Sequence, residues 1–334
     1  MKEPFKFTGS GSAYFRIWIA NILFTVLTLG IYSAWAKVRT KRYFYSNTSI
    51  NNSSFEYHAT PIQILKGRII AVILAIIYGF VSSNPDYIII SSLMLILFYL
   101  SLPFLIYKAI IFNATNSSWR NIRFGFNKDC ITQAYVVYLF LPILIPFTPS
   151  LVYPYMSYKG WQFYINNGKF GKTHFRFNKA KISAFYKIYF ICLLTLVFVL
   201  LVLSGLIVLF GISLSLIQIA PLLTVLTIII IFNSYRILAR NIAINNMIIS
   251  NTSFKSTVRL TSFFKIYFTN FFLIIITLGL FLPWAQIRMT KYLATNLLLL
   301  SEGDLDNFVQ SELKNSTAFA EEFTDVSDVD IGGI

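Results

Sequence analysis

The chain has 334 residues, of which 56% are hydrophobic, 17% aromatic and only 12% charged, whereas soluble domains carry about 25% charged residues. Several apolar runs approach the roughly 20 residues that cross a bilayer, so a lone water-soluble domain is excluded and a polytopic membrane protein is expected. The net charge of +15 hides an asymmetry: the first 300 residues hold 27 Lys/Arg against Glu3, Glu56, Asp86 and Asp129, and nine acids fall in the last 33 positions. In a membrane chain such a basic excess marks loops retained in the cytoplasm and facing anionic head groups, so anionic lipids are the expected partners and nucleic acid is not.

In chain order, the first apolar unit (about 13–48) carries Leu27-Thr28-Leu29-Gly30 and then Ser33-Ala34-Trp35-Ala36-Lys37-Val38-Arg39. Its N-terminal part loosely mimics a signal peptide, but the run is long and recurs, so it is read as retained. Residues 27–43 align without a gap on 276–292, at an offset of 249, within a second unit at about 262–297. A more diverged third unit (about 133–168) matches at an offset of 120, with Tyr155, Lys159, Phe163 and Asn167 answering Trp35, Arg39, Tyr43 and Asn47. Pro142, Pro146, Pro149 and Pro154 interrupt it. Between these units lie two apolar pairs, at about 62–111 and 184–240, that read as transmembrane hairpins with tips near Asn84 and Gly211.

The fold expected is therefore all-α: a membrane domain over 1–300 with three copied, broken or re-entrant helical units alternating with two hairpins, then an acidic cytoplasmic tail over 301–334, partly disordered. Re-entry follows from charge arithmetic. If only the hairpin helices cross, all 28 Lys/Arg lie on one face, as the positive-inside rule prefers, with both termini cytoplasmic. The Thr-Leu-Gly breaks at 28–30 and 277–279 agree, because each half of a unit, about 12 residues or 18 Å, reaches only part-way through the core. In the tail, Leu305, Phe308, Val309 and Leu313 fall at helical spacing, which suits one or two amphipathic turns; a solvated tail is the expectation, and docking against the basic face as a plug or a partner handle is the alternative.

Three positions recur at i, i+4 and i+8 in the copied units: Trp35, Arg39, Tyr43; Tyr155, Lys159, Phe163; and Trp284, Arg288, Tyr292. Helical geometry places each set on one face. An aromatic-cation-aromatic stripe can hold an anionic head group or solute, or serve as an interfacial anchor. Asn21 and Asn270, equivalent in two units, are further candidates for contacting a ligand or for joining helices. Cys130 and Cys192 are too few for a disulfide framework, and His58 and His174 lack partners at ligand spacing, so no metal or other cofactor is expected. No catalytic motif is present, so the chain is not expected to be an enzyme. Asn-x-Ser/Thr triplets at Asn47, Asn51, Asn52, Asn113 and Asn116 follow from the Asn-rich composition and fall on the cytoplasmic side.

The opening Phe5-Lys6-Phe7-Thr8-Gly9, the stretch from Gly30 to Arg39, and Trp119-Arg120-Asn121-Ile122-Arg123-Phe124 resemble the YjgN-like bacterial inner-membrane proteins, a family defined as a domain of unknown function. The resemblance extends to about residue 300 and implies a multi-pass protein of the bacterial inner membrane. The function expected is a channel or transporter-like protein with a basic cytoplasm-facing cavity for an anionic solute or lipid head group. The competing expectation is a non-transporting scaffold that recruits anionic lipid or a protein partner. Homo-oligomerisation is compatible with either.

Overall fold

A computed structural model describes residues 2–148, 150–178, 180–209, 214–301 and 305–313; the Gly211 tip, Pro149 and the tail beyond residue 313 lie outside the described residues. The all-α expectation is overturned by an eleven-stranded antiparallel sheet that curls into a nearly closed barrel. Its strands are short and occupy the polar stretches between the apolar runs. They begin with β1 (Lys2–Pro4) and β2 (Lys6–Phe7), followed by the hairpin β3 (Thr48–Ile50) and β4 (Ser53–Tyr57). Next come β5 (Ser117–Trp119) with β6 (Ile122–Phe126), β7 (Gly168–Phe170) with β8 (Thr173–Phe177), and β9 (Met247–Ile249) with β10 (Thr252–Ser256). The last strand is β11 (Leu297–Ser301).

Ring closure comes from the two ends of this series. β1 pairs with β11 through Lys2↔Leu300, and β2, one residue further on, pairs with β3 through Lys6↔Ser49. The intervening Phe5 donates its N–H to the Leu297 carbonyl at 3.0 Å. The four internal hairpins turn on two residues, with positive φ at Asn51 and Asn52, Arg120 and Asn121, Gly171, and Ser250. Two-residue turns in this left-handed region match the right-handed twist of paired strands, and Asn or Gly enters it cheaply. Ser250 and Arg120 are the exceptions in residue type, and Arg120 is the bulkier of the two. Its guanidinium is held by the Ser53 hydroxyl at 3.0 Å and the Asn51 carbonyl at 3.3 Å, and it lies over the Trp119 ring.

Between successive hairpins the chain leaves the barrel and returns, forming five helical units. Unit 1 is α1 (Gly11–Leu27) and α2 (Ser33–Ser46). Unit 2 is α3 (Pro61–Ser82) and α4 (Ile88–Thr115), joined by a 3-10 turn at Pro85–Tyr87. Unit 3 is α5 (Ile131–Leu144), with a π-helical stretch at Val136–Phe140, and α6 (Val152–Asn166). Unit 4 is α7 (Ile182–Leu209) and α8 (Leu214–Asn245), and unit 5 is α9 (Leu260–Ile276) and α10 (Leu282–Thr295). Units 2 and 4 supply four helices long and apolar enough to cross a membrane. Helix α3 has no buried residue at all.

One device joins every unit to the barrel. Asn47, Asn116, Asn167, Asn246 and Asn296 each follow the returning helix, and each donates its side-chain N–H to the carbonyl four residues back at 2.8–2.9 Å. This satisfies one of the acceptors that a helix C-terminus leaves open. The backbone carbonyls of the same asparagines accept N–H bonds from Thr8, His58, Asn127, Asn178 and Thr257, adding one rung between neighbouring hairpins.

Candidate functional site: the barrel lumen

Three residues after each of these asparagines comes an inward, buried apolar side chain: Ile50, Trp119, Phe170, Ile249 and Leu299, all at most 6% exposed. Eight residues after four of them comes a phenylalanine, Phe55, Phe124, Phe175 or Phe254, and Phe5 takes that role on the split first strand. Together they form one cluster inside the barrel. The rings touch around the lumen, with Phe5 stacked on Phe55 at 6.1 Å, Phe124 tilted to Phe170 at 5.1 Å, and Phe175 tilted to Phe254 at 6.2 Å.

The lumen is not filled. A cavity of about 470 Å³ is lined by these rings and by Ile110, Ala114 and Ile244 from the ends of returning helices, within the range of about 300–1,000 Å³ usual for ligand pockets. Its polar lining is Tyr45, Asn113, Ser117, Tyr164, Lys169 and Thr252; no carboxylate among the described residues lines it. Burial, and secondarily the neighbouring Tyr164 phenol, pushes the Tyr45 phenol above its ordinary range, so it stays protonated and able to donate. The cavity is suited to an elongated apolar group whose polar end meets hydroxyl and amide donors and the Lys169 ammonium.

A short helix at 305–313 lies against one part of this space. Leu305 and Val309 are buried in the luminal cluster, and Phe308 packs on Phe170 at 6.1 Å. Glu312, 4% exposed, accepts from the Lys172 backbone N–H at 2.8 Å and the Thr173 hydroxyl at 2.5 Å. Asp306 pairs with Arg120. A Cβ on Gly171 would lie 2.2 Å from the Glu312 carboxylate, and φ there is +59°, so glycine is required twice over.

The residues singled out by sequence spacing lie elsewhere, most of them engaged within their own unit. Tyr43 Oη accepts the Ser10 N–H and donates to its carbonyl, both at 2.9 Å; Tyr292 does the same with Arg259 at the same distances. These tyrosines tie a returning helix to the start of its outgoing partner. Asn21 donates to the Ala36 carbonyl at 3.4 Å and Asn270 to the Ala285 carbonyl at 3.2 Å, joining the two helices of each unit. Arg39 donates to Tyr32 Oη, Arg288 to Asn270 Oδ1, and Lys159 to Gln162 Oε1. Trp35 stacks on Tyr32, Trp284 packs against Phe15 and Phe281, and Phe163 belongs to a buried cluster with Phe126. Lys159 lies over Tyr155 at 5.8 Å. The three stripes stand on units 1, 3 and 5, and sheet order makes only units 1 and 5 neighbours.

The luminal phenylalanines escape a reading tuned to helical spacing. Their signal is a phenylalanine eight residues after an asparagine, followed at the second position by Tyr or Phe in three strands and by Ser256 in β10, in segments too short for alternation to stand out.

Comparison with known proteins adds the family. The bacterial protein of unknown function family DUF898 matches residues 2–326. The inner membrane protein YjgN of Salmonella typhimurium is 33% identical over 144 residues, and those of Escherichia coli O157:H7 and K12 are each 31% identical over 147 residues. These alignments span 42–43% of this chain and 35% of the relatives' length. No solved structure matches the chain. With a family match running nearly end to end and four helices of membrane-crossing length, the chain belongs to the DUF898 family of bacterial proteins of unknown function.

Proposed function

We propose that this is a transporter-like protein of the bacterial inner membrane that takes an amphipathic, lipid-type molecule into its barrel, which lies at the cytoplasmic face. The observation that carries this reading is the ring-lined cavity of about 470 Å³ reaching from the barrel to the ends of the membrane helices. Such a lining has little to offer a hydrated ion and much to offer an acyl chain, because burying each methylene is worth about 0.8 kcal/mol. The reading involves no catalytic step.

Orientation follows from the route of the chain. Every helical unit leaves and rejoins one barrel, so units 2 and 4 cross as pairs with their tips on the far side, while units 1, 3 and 5 enter and return. Leu29 and Leu278, at the tips of units 1 and 5, are 95% and 94% exposed. An apolar side chain in that position is at home in hydrocarbon. Impermeant maleimide on intact cells is expected to label a cysteine at Asn84 and to spare cysteines at Asn47, Asn167 and Thr252; labelling of Asn47 from outside refutes this orientation.

The ligand is tested with a diazirine-bearing phospholipid added to the protein in detergent. Crosslinks to peptides containing Phe55, Phe124 or Phe254, abolished by Ala114→Trp in a variant of unchanged melting temperature, are the expected result. Crosslinks confined to α3 and α7 would refute luminal binding. The scaffold reading is favoured by the basic excess of 27 Lys/Arg over four acids before residue 300. It predicts anionic-lipid recruitment with no lipid or anion flux in reconstituted vesicles, and with no change in flux for the Arg39→Ala/Arg288→Ala double variant.

A further inference from the structure

Units 1 and 5 are built alike, which makes their local differences informative. Both turn through a leucine at φ near +50° and a glycine at +92°. In both, a threonine hydroxyl, of Thr28 or Thr277, accepts the N–H four residues on, at 2.9 and 3.0 Å. In both, an asparagine of the outgoing helix donates to an alanine carbonyl of the returning one.

The other face of that asparagine differs. In unit 5, Arg288 donates to Asn270 Oδ1 at 2.9 Å and to Thr269 Oγ1 at 3.3 Å. In unit 1 the matching Arg39 is drawn away by the Tyr32 hydroxyl at 2.9 Å, a group missing from unit 5, where Phe281 stands at that position. Asn21 Oδ1 is left buried without a donor, in a residue only 6% exposed. An unpartnered buried acceptor costs about 1–3 kcal/mol, so its retention calls for an explanation.

Asn21 lines a groove of about 480 Å³ between α1 and α2. Trp18, Ile22 and Val26 form its apolar side, and Thr25, Lys37, Thr40 and Lys41 its polar side. Lys37 and Lys41 are one helical turn apart, and no carboxylate among the described residues lines the groove. Burial, and secondarily the charge of Lys37, lowers the pKa of Lys41. The ammonium of Lys41 also meets Asn113 Oδ1 and the ring of Tyr57. In unit 5 the matching positions are Ile274, Gln286, Met289 and Thr290, so the paired cations belong to unit 1 alone.

We propose that the unit 1 groove binds the phosphate ester head group of a membrane phospholipid. The phosphate is held by Lys37 and Lys41 with the Thr40 hydroxyl, and a hydroxyl or ammonium donor on the head group answers Asn21 Oδ1. Trp18, Ile22 and Val26 pack against the glycerol end of the acyl chains. Two lysines one helical turn apart, with no carboxylate among the described residues lining their groove, are relieved by a phosphate, and a donor is what Asn21 lacks. This site is separate from the barrel lumen and stands independently of the lipid cavity proposed there.

The test converts unit 1 toward unit 5. Tyr32→Phe frees Arg39 to take the place that Arg288 takes, and Lys37→Gln removes one cation while installing the unit 5 residue. Retention of phosphatidylglycerol by the purified protein is read by native mass spectrometry from mixed detergent micelles. At least fivefold weaker retention is expected in each variant, with melting temperatures within about 2 °C of wild type. The control Gln286→Lys in unit 5, where Arg288 already occupies the asparagine, leaves retention unchanged. Wild-type retention in both variants overturns the proposal. Displacement of the lipid by equimolar inorganic phosphate also overturns it, by assigning the groove to the free anion.

Discussion

All five barrel joints keep one spacing, from the asparagine to the buried apolar side chain three residues on, whereas the helical units between them vary freely. Units 1 and 5 have helices of 17 and 14 residues, unit 2 has 22 and 28, and unit 4 has 28 and 32. A closed ring has a fixed circumference and strand register, so a one-residue change in any strand would turn its inward side chains outward. A helical pair that starts and ends on one rim is under no such constraint, because each added turn lengthens both arms by about 5.4 Å and leaves the rim unmoved. Regularity thus marks where the molecule is mechanically closed, and variation marks where it meets its surroundings.

The contrast is tested most severely in the barrel. Trp119 touches Phe55 and Phe170 and donates to the Ser53 carbonyl at 3.0 Å, so Trp119→Ala should cost about 3–5 kcal/mol and depress the thermal midpoint in detergent more than any single change in the helices. A loss below about 1 kcal/mol would mean that the ring of aromatics is not the core. Next in size is Gly171→Ala, which forces a left-handed alanine at about 1–2 kcal/mol and pushes against Glu312. Protease should then cut within 305–313 while the barrel resists; unchanged protection of that helix would mean that the Glu312 contact does not hold it. Removing one joint, as in Asn116→Ala, should cost about 1 kcal/mol, and Asn47→Ala or Asn296→Ala should cost the same within a factor of two. The smallest effect is expected outside. Ile73 on α3 is 50% exposed, and Ile73→Ala should stay within about 0.5 kcal/mol in detergent, a larger loss implying that α3 packs on something.

What the sequence disclosed, and what it withheld, divides along the same line. Long apolar runs and the 249-residue offset are legible because they are extended signals, each integrating a dozen or more residues. Matches such as Asn47 with Asn167, or Phe55-Glu56-Tyr57 with Phe175-Arg176-Phe177, are visible too, but strands of two to five residues carry too little alternation to declare themselves against a helical background. The Asn-Ser and Asn-Thr triplets that look like composition include the starts of β3 and β5. The two-residue turns are written as Asn51-Asn52 and Arg120-Asn121 rather than as the more recognisable Asn-Gly. Among the candidate residues, position in a unit was readable and partnership was not. Whether Arg39 meets Asn21 or Tyr32 depends on a single phenol hydroxyl, which no spacing rule encodes.

The pairing of β1 with β11 also governs the order in which the protein can be made. Almost the entire described chain lies between Phe5 and Leu297, so the first strand leaves the ribosome long before its partner exists. The ring must wait, with one seam unzipped, while units 1 to 5 are synthesised. Its aromatic interior is meanwhile open along that seam. Among the described strands β11 is made last, and its pairing with β1 closes the seam around whatever the lumen has taken up by then.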